Sequence, residues 1–522
     1  MDYLSTNSIL NGPFIFTYTS HHMVRSPGKS LPPYIDTYSN KNWRCDIRRI
    51  LIPHELLETE IDGLSCQDYP YECAKKVVSE LRRSGGKAYY LKENPKIILT
   101  TDSGSGTYNL QPLPAKSLDE VLGFEFKPRF LFGNNVVTET PYGILKNPPY
   151  ECQDEQDELP RLVILYEDKR AAVAVKKLLY EVKPFTELFR RPDMTRLSDV
   201  EKKGSLEDVL KGGTVTLLIA SENYLKSHLD VITQLKLESF KLGRGRSSLQ
   251  IINSTRFANL TYEQRRFYFP ANLVAALYFK AGCIPYGVVV PNCALCYELQ
   301  ASLYVGVALA RGPNGYYKGV AILMEGLGSV VNYVDTDEVL KGGSMEFGED
   351  EAEKFSSKIV EMIMEYKEKF GETPENLYVV RSRAFASIEA DEIRKKVERG
   401  IEKKLSLIER FMWKKLKRKT IVFMSPYKTK YNIGGNRAIH VKSLSDYSNL
   451  WLIQPPSFNH AIRISYNSGN IDRRLPVLAY LYLRWLDFTS LIMKGRSTIA
   501  PVTYAKRYLK WLTLQDKIKL WN

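Results

Sequence analysis

The chain has 522 residues, 44% of them apolar and 25% charged. At roughly 100 to 200 residues per domain this predicts about three globular domains and excludes wholesale disorder or a fibrous repeat. Lys and Arg number 74 against 59 acidic residues, for a net charge of +15 and a pI near 9.2, so the surface favours a polyanion, with nucleic acid ahead of an acidic membrane.

The amino-terminal stretch MDYLSTNSILNGPF carries Asp2 and no basic run ahead of an apolar block, which predicts a cytoplasmic protein without a secretory signal. Residues 1–125 begin rich in Pro, Tyr and Ser, then carry one helical pattern at 68–83 and a short apolar run at 96–101. They read as a small α/β amino-terminal domain, and residues 126–160 read as a linker. From Arg161 strand and helix patterns alternate: RLVILYE, a helix at 171–180, GTVTLLIA, a helix at 222–239, LQIINS, a helix at 272–281 and YGVVV. Such alternation predicts a parallel sheet covered by helices over residues 161–290.

A second block, 291–522, opens with a strand at 303–310 and a hairpin partner in YYKGVAILM, followed by a helix at 349–370, the strand NLYVVR, a mostly helical stretch at 388–419, the strand TIVFMS and two helices around Pro501. Residues 394–419 hold twelve Lys or Arg against three Glu, read as an amphipathic helix with a solvated basic face. The most apolar long segment, 477–493, is interrupted by Arg484 and Asp487, so no membrane insertion is expected. Seven cysteines are too few for a disulfide scaffold and odd in number, which suits a reducing compartment. Cys293 and Cys296 form a C-x-x-C, but Cys66 and Cys73 have unsuitable spacing for the other half of a zinc site. Buried thiols are expected instead.

The segment FGNNVVTETPYGILKNPPY, with Gln250 in SSLQIIN and Asn272 and Lys280 in NLVAALYFKAGCIPYGV, resembles the MID and PIWI domains of Argonaute proteins, over about three quarters of the chain from Phe132. The resemblance implies a Rossmann-like MID domain at 161–290 and an RNase H-like PIWI domain at 291–522. The amino-terminal region is too short for the additional domains of longer members, so the resemblance is to short prokaryotic Argonautes. It also implies that Tyr224, His228, Gln250 and Lys280 bind a guide 5′-phosphate, with Lys226, Arg244, Arg246 and Asn272 as candidate backbone contacts. Chemically, a terminal phosphate with nearly two charges calls for cations, polar donors and free backbone N–H groups. Tyr224 and His228, four apart on one expected helix, share a face. The family usually has Lys where His228 stands.

In slicing members, carboxylates of the PIWI domain hold two metal ions. Here the matching positions carry Ala308 in LYVGVALAR, Ser382 in ENLYVVRSRAF and Lys506 in PVTYAKRYL, which provide no carboxylate for a hard divalent ion. A slicing-inactive protein is therefore expected, with no catalytic cofactor and with Mg²⁺ admitted only at the guide 5′-phosphate. The implied partners are a guide RNA, a complementary DNA target and an effector protein, in prokaryotic defence. The amino-terminal region, with Tyr34, Tyr38, Trp43 and Tyr71, is the candidate dock for that effector. Two rival readings stay open: a metal-dependent nuclease using Asp335, Asp337, Glu346 and Asp350, and an unguided single-strand binder drawing on 33 Tyr and 21 Phe.

Overall fold

The computed structural model describes residues 116–522 apart from short stretches, the longest at 405–420, together with the strands named below within residues 1–115. The chain folds as two compact units, Met1–Glu125 with Met424–Gly469 and Phe126–Phe423 with Asn470–Asn522.

In the first unit His21–Met23, Arg44–Ile50 and Ile35–Ser39 form an antiparallel sheet. Lys87–Leu91, Lys96–Thr101 and Gly104–Asn109 form a meander, whose central strand is the apolar run expected at 96–101. The helix expected at 68–83 lies outside the described residues. Arg437–Val441, Asn449–Gln454 and Ile462–Asn467 are successive antiparallel strands, and Lys116–Ser117 pairs with Arg437–Ala438. Ser117 then starts the helix Leu118–Leu122 with a reciprocal cap, its hydroxyl accepting from the Glu120 N–H at 3.0 Å while Glu120 accepts the Ser117 N–H at 2.7 Å.

The second unit begins where a linker was expected. The strand β1, Arg129–Leu131, buries Phe130 and pairs antiparallel with Gly287–Val289, and Phe132 and Ile144 are fully buried. Residues 126–152 are built into the core because this aromatic, Pro-rich stretch carries apolar side chains that a free linker would leave in water.

The expected parallel sheet follows. It consists of β2 (Arg161–Tyr166), β3 (Asp193–Arg196), β4 (Thr214–Ala220) and β5 (Leu249–Asn253), in the order β3-β2-β4-β5, all parallel. Leu162, Ile164, Leu217 and Ile219 are fully buried, as continuous apolar runs require when helices cover both faces. Between the strands run α1 (Lys169–Tyr180), α2 (Glu222–Ser227), α3 (Leu229–Leu242) and, after β5, α4 (Phe269–Lys280). Asp168 caps α1 by accepting the N–H groups of Arg170 and Ala171. Helix α4 is apolar all round and buried on every side except near its ends.

The second block forms the antiparallel strands β6 (Leu303–Arg311), β7 (Tyr317–Glu325) and β8 (Val330–Leu340), with β9 (Leu377–Arg381) parallel to β6. Helix α5, Glu349–Phe370, has the bounds expected from sequence. Helix α6, Ser387–Lys404, buries Ile393, Val397 and Ile401 against α5 and the sheet, while Lys396 pairs with Glu353 and Glu392. The basic stretch is therefore an amphipathic packing helix as far as Lys404, and residues 405–419 lie outside the described residues. Two helices close the unit, α7 (Leu475–Leu483) and α8 (Ala500–Trp521). Pro501 in the first turn of α8 lies directly on Gly306 of β6, so a Cβ there would overlap the Pro501 carbonyl. Gly306→Ala is expected to destabilise the protein by about 1 to 3 kcal/mol through overpacking, read as a lowered denaturation midpoint; an unchanged midpoint would show that α8 is not seated on β6.

The expected free thiols are instead disulfides among the described residues. Cys152 stands opposite Cys283 in an antiparallel pair of short strands and is bonded to it, and Cys293 is bonded to Cys296. Direct cross-strand pairing and the turn of a C-x-x-C bring each pair of sulfurs together.

Candidate nucleic-acid interface

A cavity of about 290 Å³ lies between α3, the turn that leads into β5, the end of α4, and α8. Five cationic side chains line it: Lys236, Arg246, Lys280, Arg507 and Lys510. No carboxylate does. Phe240, Phe279, Tyr504 and Trp511 supply apolar walls, and Ser247, Gln250 and Thr489 supply polar groups.

Three of these cations are held from behind. Lys280 ends α4 and donates from Nζ to the Ser247 carbonyl at 2.6 Å. Lys236 lies 9% exposed on the buried face of α3, and its Nζ donates to the Leu249 carbonyl. The Ser239 and Ser247 hydroxyls are 2.6 Å apart, and Ser247 Oγ accepts the Leu249 N–H at 3.2 Å, pinning the turn to α3. Gly243 permits that turn, because a Cβ there would strike the Arg246 carbonyl. From α8, Arg507 spans both oxygens of Asp487 at 3.1 and 3.2 Å. Asp487 is 4% exposed and also accepts from the Thr489 hydroxyl at 2.6 Å. Tyr504 donates to the Leu486 carbonyl at 2.8 Å and stacks on Phe279 at 5.1 Å.

Burial, reinforced by the nearby Arg507, pushes Lys280 down to about 7. Lys236 is held well below the ordinary lysine value by burial first and then by Lys280 and Arg507. Cations gathered away from water without a lining counter-charge are individually unfavourable, and an entering anion relieves them together. The arrangement therefore suits a multiply charged anion such as a phosphate.

Gln250, Lys280 and Arg246 converge here as the sequence reading placed them at a site. Tyr224 and His228 do not line the cavity. The single helix expected at 222–239 is two helices, broken at His228, where φ is −117° and ψ is 34°. The Ser227 hydroxyl donates to the Tyr224 carbonyl at 3.1 Å and the His228 ring nitrogen lies 3.1 Å from the same oxygen, the side-chain competition that interrupts helices. The two rings stack on each other with centroids 4.0 Å apart. Lys226 is exposed and paired with Glu222 at 2.8 Å. Asn272 is committed inside the fold, donating to the Tyr268 carbonyl at 2.6 Å and accepting the Leu491 N–H at 2.7 Å. Arg244 lies outside the described residues.

Lys236, Arg507, Lys510 and Asp487 escaped the sequence reading. The detectable signal for Lys236 was a lysine four residues after Ile232 on the buried stripe of ITQLKLESF. For α8 it was the i, i+3 pair Arg507 and Lys510.

At the positions matched to slicing carboxylates, Ala308 is buried on β6 and Ser382 directly follows β9. Val307 pairs with Arg381, which brings both positions to the same end of neighbouring strands. Lys506 lies on α8. No group of three or more His, Cys, Asp or Glu stands ready for a metal among the described residues. Glu346 and the side chains of Asp335, Asp337 and Asp350 are outside them.

No protein-family model and no curated protein matches the chain. Solved structures do match. The C-terminal lobe of a budding yeast Argonaute superposes with a TM-score of 0.54 at 11% identity, over 83% of this chain and 94% of that one. Drosophila Piwi gives 0.53 at 11% identity over 78% of this chain, which spans about half, 55%, of the Piwi chain. Marinitoga piezophila Argonaute in complex with 5′ OH guide RNA and target DNA gives 0.50 at 12% identity, over 96% and 84%. At such identities the likeness is one of fold, and it is the α/β fold that the motifs implied. Among the described residues no helix is long and apolar enough to cross a membrane.

Proposed function

We propose that this chain, which has the fold of the Argonaute C-terminal lobe, holds the 5′-phosphorylated end of a small guide strand in the cationic cavity and pairs that guide with a complementary target. The observation that carries this reading is the convergence of Lys236, Arg246, Lys280, Arg507 and Lys510 on one cavity without a lining carboxylate. RNA as guide and DNA as target follow the Marinitoga complex, whose guide bears a 5′ OH. The five cations here favour a phosphate at that end instead. A Mg²⁺ ion does not fit beside it: hard cations need oxygen ligands, preferably carboxylates, and the lining offers ammonium and guanidinium groups where such a ligand would stand.

The proposal includes a PIWI-like part that does not cut. Supporting this are the side chains at the three matched positions, a buried methyl at Ala308, a hydroxyl at Ser382 and an ammonium at Lys506, which cannot hold two divalent ions. Recognition without cleavage calls for a second polypeptide to produce a response, so the reading includes an effector partner, in cytoplasmic defence of a prokaryote against invading nucleic acid.

The test is binding of 5′-phosphorylated and 5′-hydroxyl RNA of one sequence, followed by addition of a matched DNA target with Mg²⁺ or Mn²⁺. The phosphorylated strand is expected to bind at least tenfold more tightly, which corresponds to about 1.4 kcal/mol, and the target to be retained uncut. Equal affinities would overturn the guide-anchoring reading. A discrete product at a fixed distance from the guide 5′ end would overturn the inactive one.

A further inference from the structure

We propose that the exposed turn 261–268 is a second nucleic-acid contact, outside the cavity: Tyr262 and Phe267, braced by Arg266, stack unpaired bases of a single strand, and Arg256 and Arg266 meet its phosphates. The proposal goes beyond the reading of a guide 5′ end, because it requires no terminal phosphate.

Exposure comes first. Tyr262 is 75% exposed and Phe267 49%, and Arg256, Arg265 and Arg266 are exposed with them. Aromatic rings carry a large apolar area that folding normally removes from water. Two of them on one surface turn, rimmed by charge, mark a place where a ligand completes their burial. Over residues 254–268 three arginines stand against one acid, Glu263, whose carboxylate accepts the Tyr268 hydroxyl at 3.3 Å. Glu222, which Arg256 also attracts, is itself paired with Lys226 at 2.8 Å.

The turn is built to hold its rings still. Thr261 and Gln264 cap each other reciprocally, the Thr261 N–H donating to Gln264 Oε1 at 3.0 Å and the Gln264 N–H to Thr261 Oγ1 at 3.2 Å. Gln264–Tyr268 then winds as a single π-helical turn, a rare geometry that recurs at functional sites. Arg266 Nη1 donates to the Tyr262 hydroxyl at 2.8 Å, and its guanidinium lies 5.8 Å from the Tyr262 ring centre and 5.4 Å from that of Phe267. Below it, Arg265 donates to the Ala258 carbonyl at 2.9 Å, which ties the turn to the short helix Ser254–Ala258 that carries Arg256. Tyr268 packs edge-on against Tyr142 at 5.4 Å. Rings fixed in advance lose little conformational freedom when a ligand stacks on them.

The chemistry selects the occupant. Each nucleotide of a single strand carries a flat π-face and one negative charge, and sites for such strands combine aromatic platforms with cations. Two rings interleaved with guanidinium groups match that repeat, whereas an acidic protein surface would satisfy the arginines without supplying a ring beside each charge. The turn runs directly into α4, and Lys280 at the far end of that helix lies thirteen residues beyond Phe267, about 20 Å along the axis.

The test uses the full chain and a 5′-hydroxyl oligodeoxythymidylate of about 12 nucleotides, within the span of single-strand sites, beside an abasic strand of the same length. The thymidylate is expected to bind about tenfold more tightly than the abasic strand, and Tyr262→Ala to remove most of that advantage. Tyr262→Phe, which keeps the ring, should retain it. Arg256→Ala should lower the slope of log Kd against log salt concentration by about 0.7, the share of one phosphate contact on a single strand, while Tyr262→Ala leaves the slope unchanged. With 5-iodouracil in place of thymine, photocrosslinks are expected at Tyr262 or Phe267. Unchanged thymidylate affinity in Tyr262→Ala, with crosslinks confined to other residues, would overturn the proposal and turn attention to an acidic protein as occupant. The preference of the cavity for a 5′-phosphorylated RNA is measured on the same variants and should not change, so failure here leaves the guide reading standing, and loss of that reading leaves this contact to be judged on its own.

Discussion

Arg507→Ala is expected to lower the stability of the protein by about 3 kcal/mol, because it strands the Asp487 carboxylate in the interior. Asp487 is 4% exposed and spans the guanidinium with both oxygens. Breaking a buried pair by removing one partner costs roughly 3 to 5 kcal/mol. The lower figure applies because the Arg507 side chain keeps 35% of its surface in water. Thr489 continues to donate its hydroxyl and N–H to the acid, which is insufficient to replace a charge. The measurement is the urea denaturation midpoint of Arg507→Ala beside that of Arg507→Ala with Asp487→Asn. The double variant should recover most of the lost stability while remaining a weak binder of 5′-phosphorylated RNA. If the single variant matches the parent, Asp487 does not depend on Arg507.

Lys280→Ala should leave the fold intact and weaken binding of a 5′-phosphorylated guide by about 1.5 to 3 kcal/mol, the value of a charge-assisted hydrogen bond. That is on the order of a 10- to 150-fold rise in Kd. A 5′-hydroxyl strand of the same sequence should bind almost as before, since it places no charge near Nζ. Equal losses for both strands would mean that Lys280 supports the cavity wall through Ser247 and does not read the phosphate.

These residues differ in how far they were legible. Continuous apolar runs such as RLVILY and TVTLLIA announce strands buried on both faces, and α5 shows its full extent through helical periodicity. Asp193–Arg196 is a strand of the same sheet, yet DMTR sits at its edge with half-exposed side chains and carries no apolar signal. Gln250 and Lys280 were found because their motif preserves their order along the chain. Lys236 was not singled out from the sequence, since a lysine on the apolar stripe beside Ile232 becomes informative only once packing shows that it faces inward. The break at His228 follows from two side chains reaching for one carbonyl, which depends on rotamers that spacing alone does not define. Arg507 and Lys510 lie more than 220 residues from Lys280, and no local pattern reveals that α8 returns to close the cavity.

That last placement has a consequence for when the protein can work. The Asn272 amide accepts the Leu491 N–H, and the Tyr286 hydroxyl donates to the Trp485 carbonyl at 2.9 Å, so the early and late halves of the second unit are joined beside the cavity. During synthesis at about 5 to 20 residues per second, α8 emerges roughly 10 to 45 seconds after Lys280 leaves the ribosome. Throughout that interval the nascent chain has Lys236, Gln250 and Lys280 but no Arg507 or Lys510. A message interrupted before the codon for Ala500 therefore yields a polypeptide with half an anion site and an open face on β6 where α8 belongs. The complete set of lining cations therefore exists only once α8 has been translated and has packed against α3 and α4.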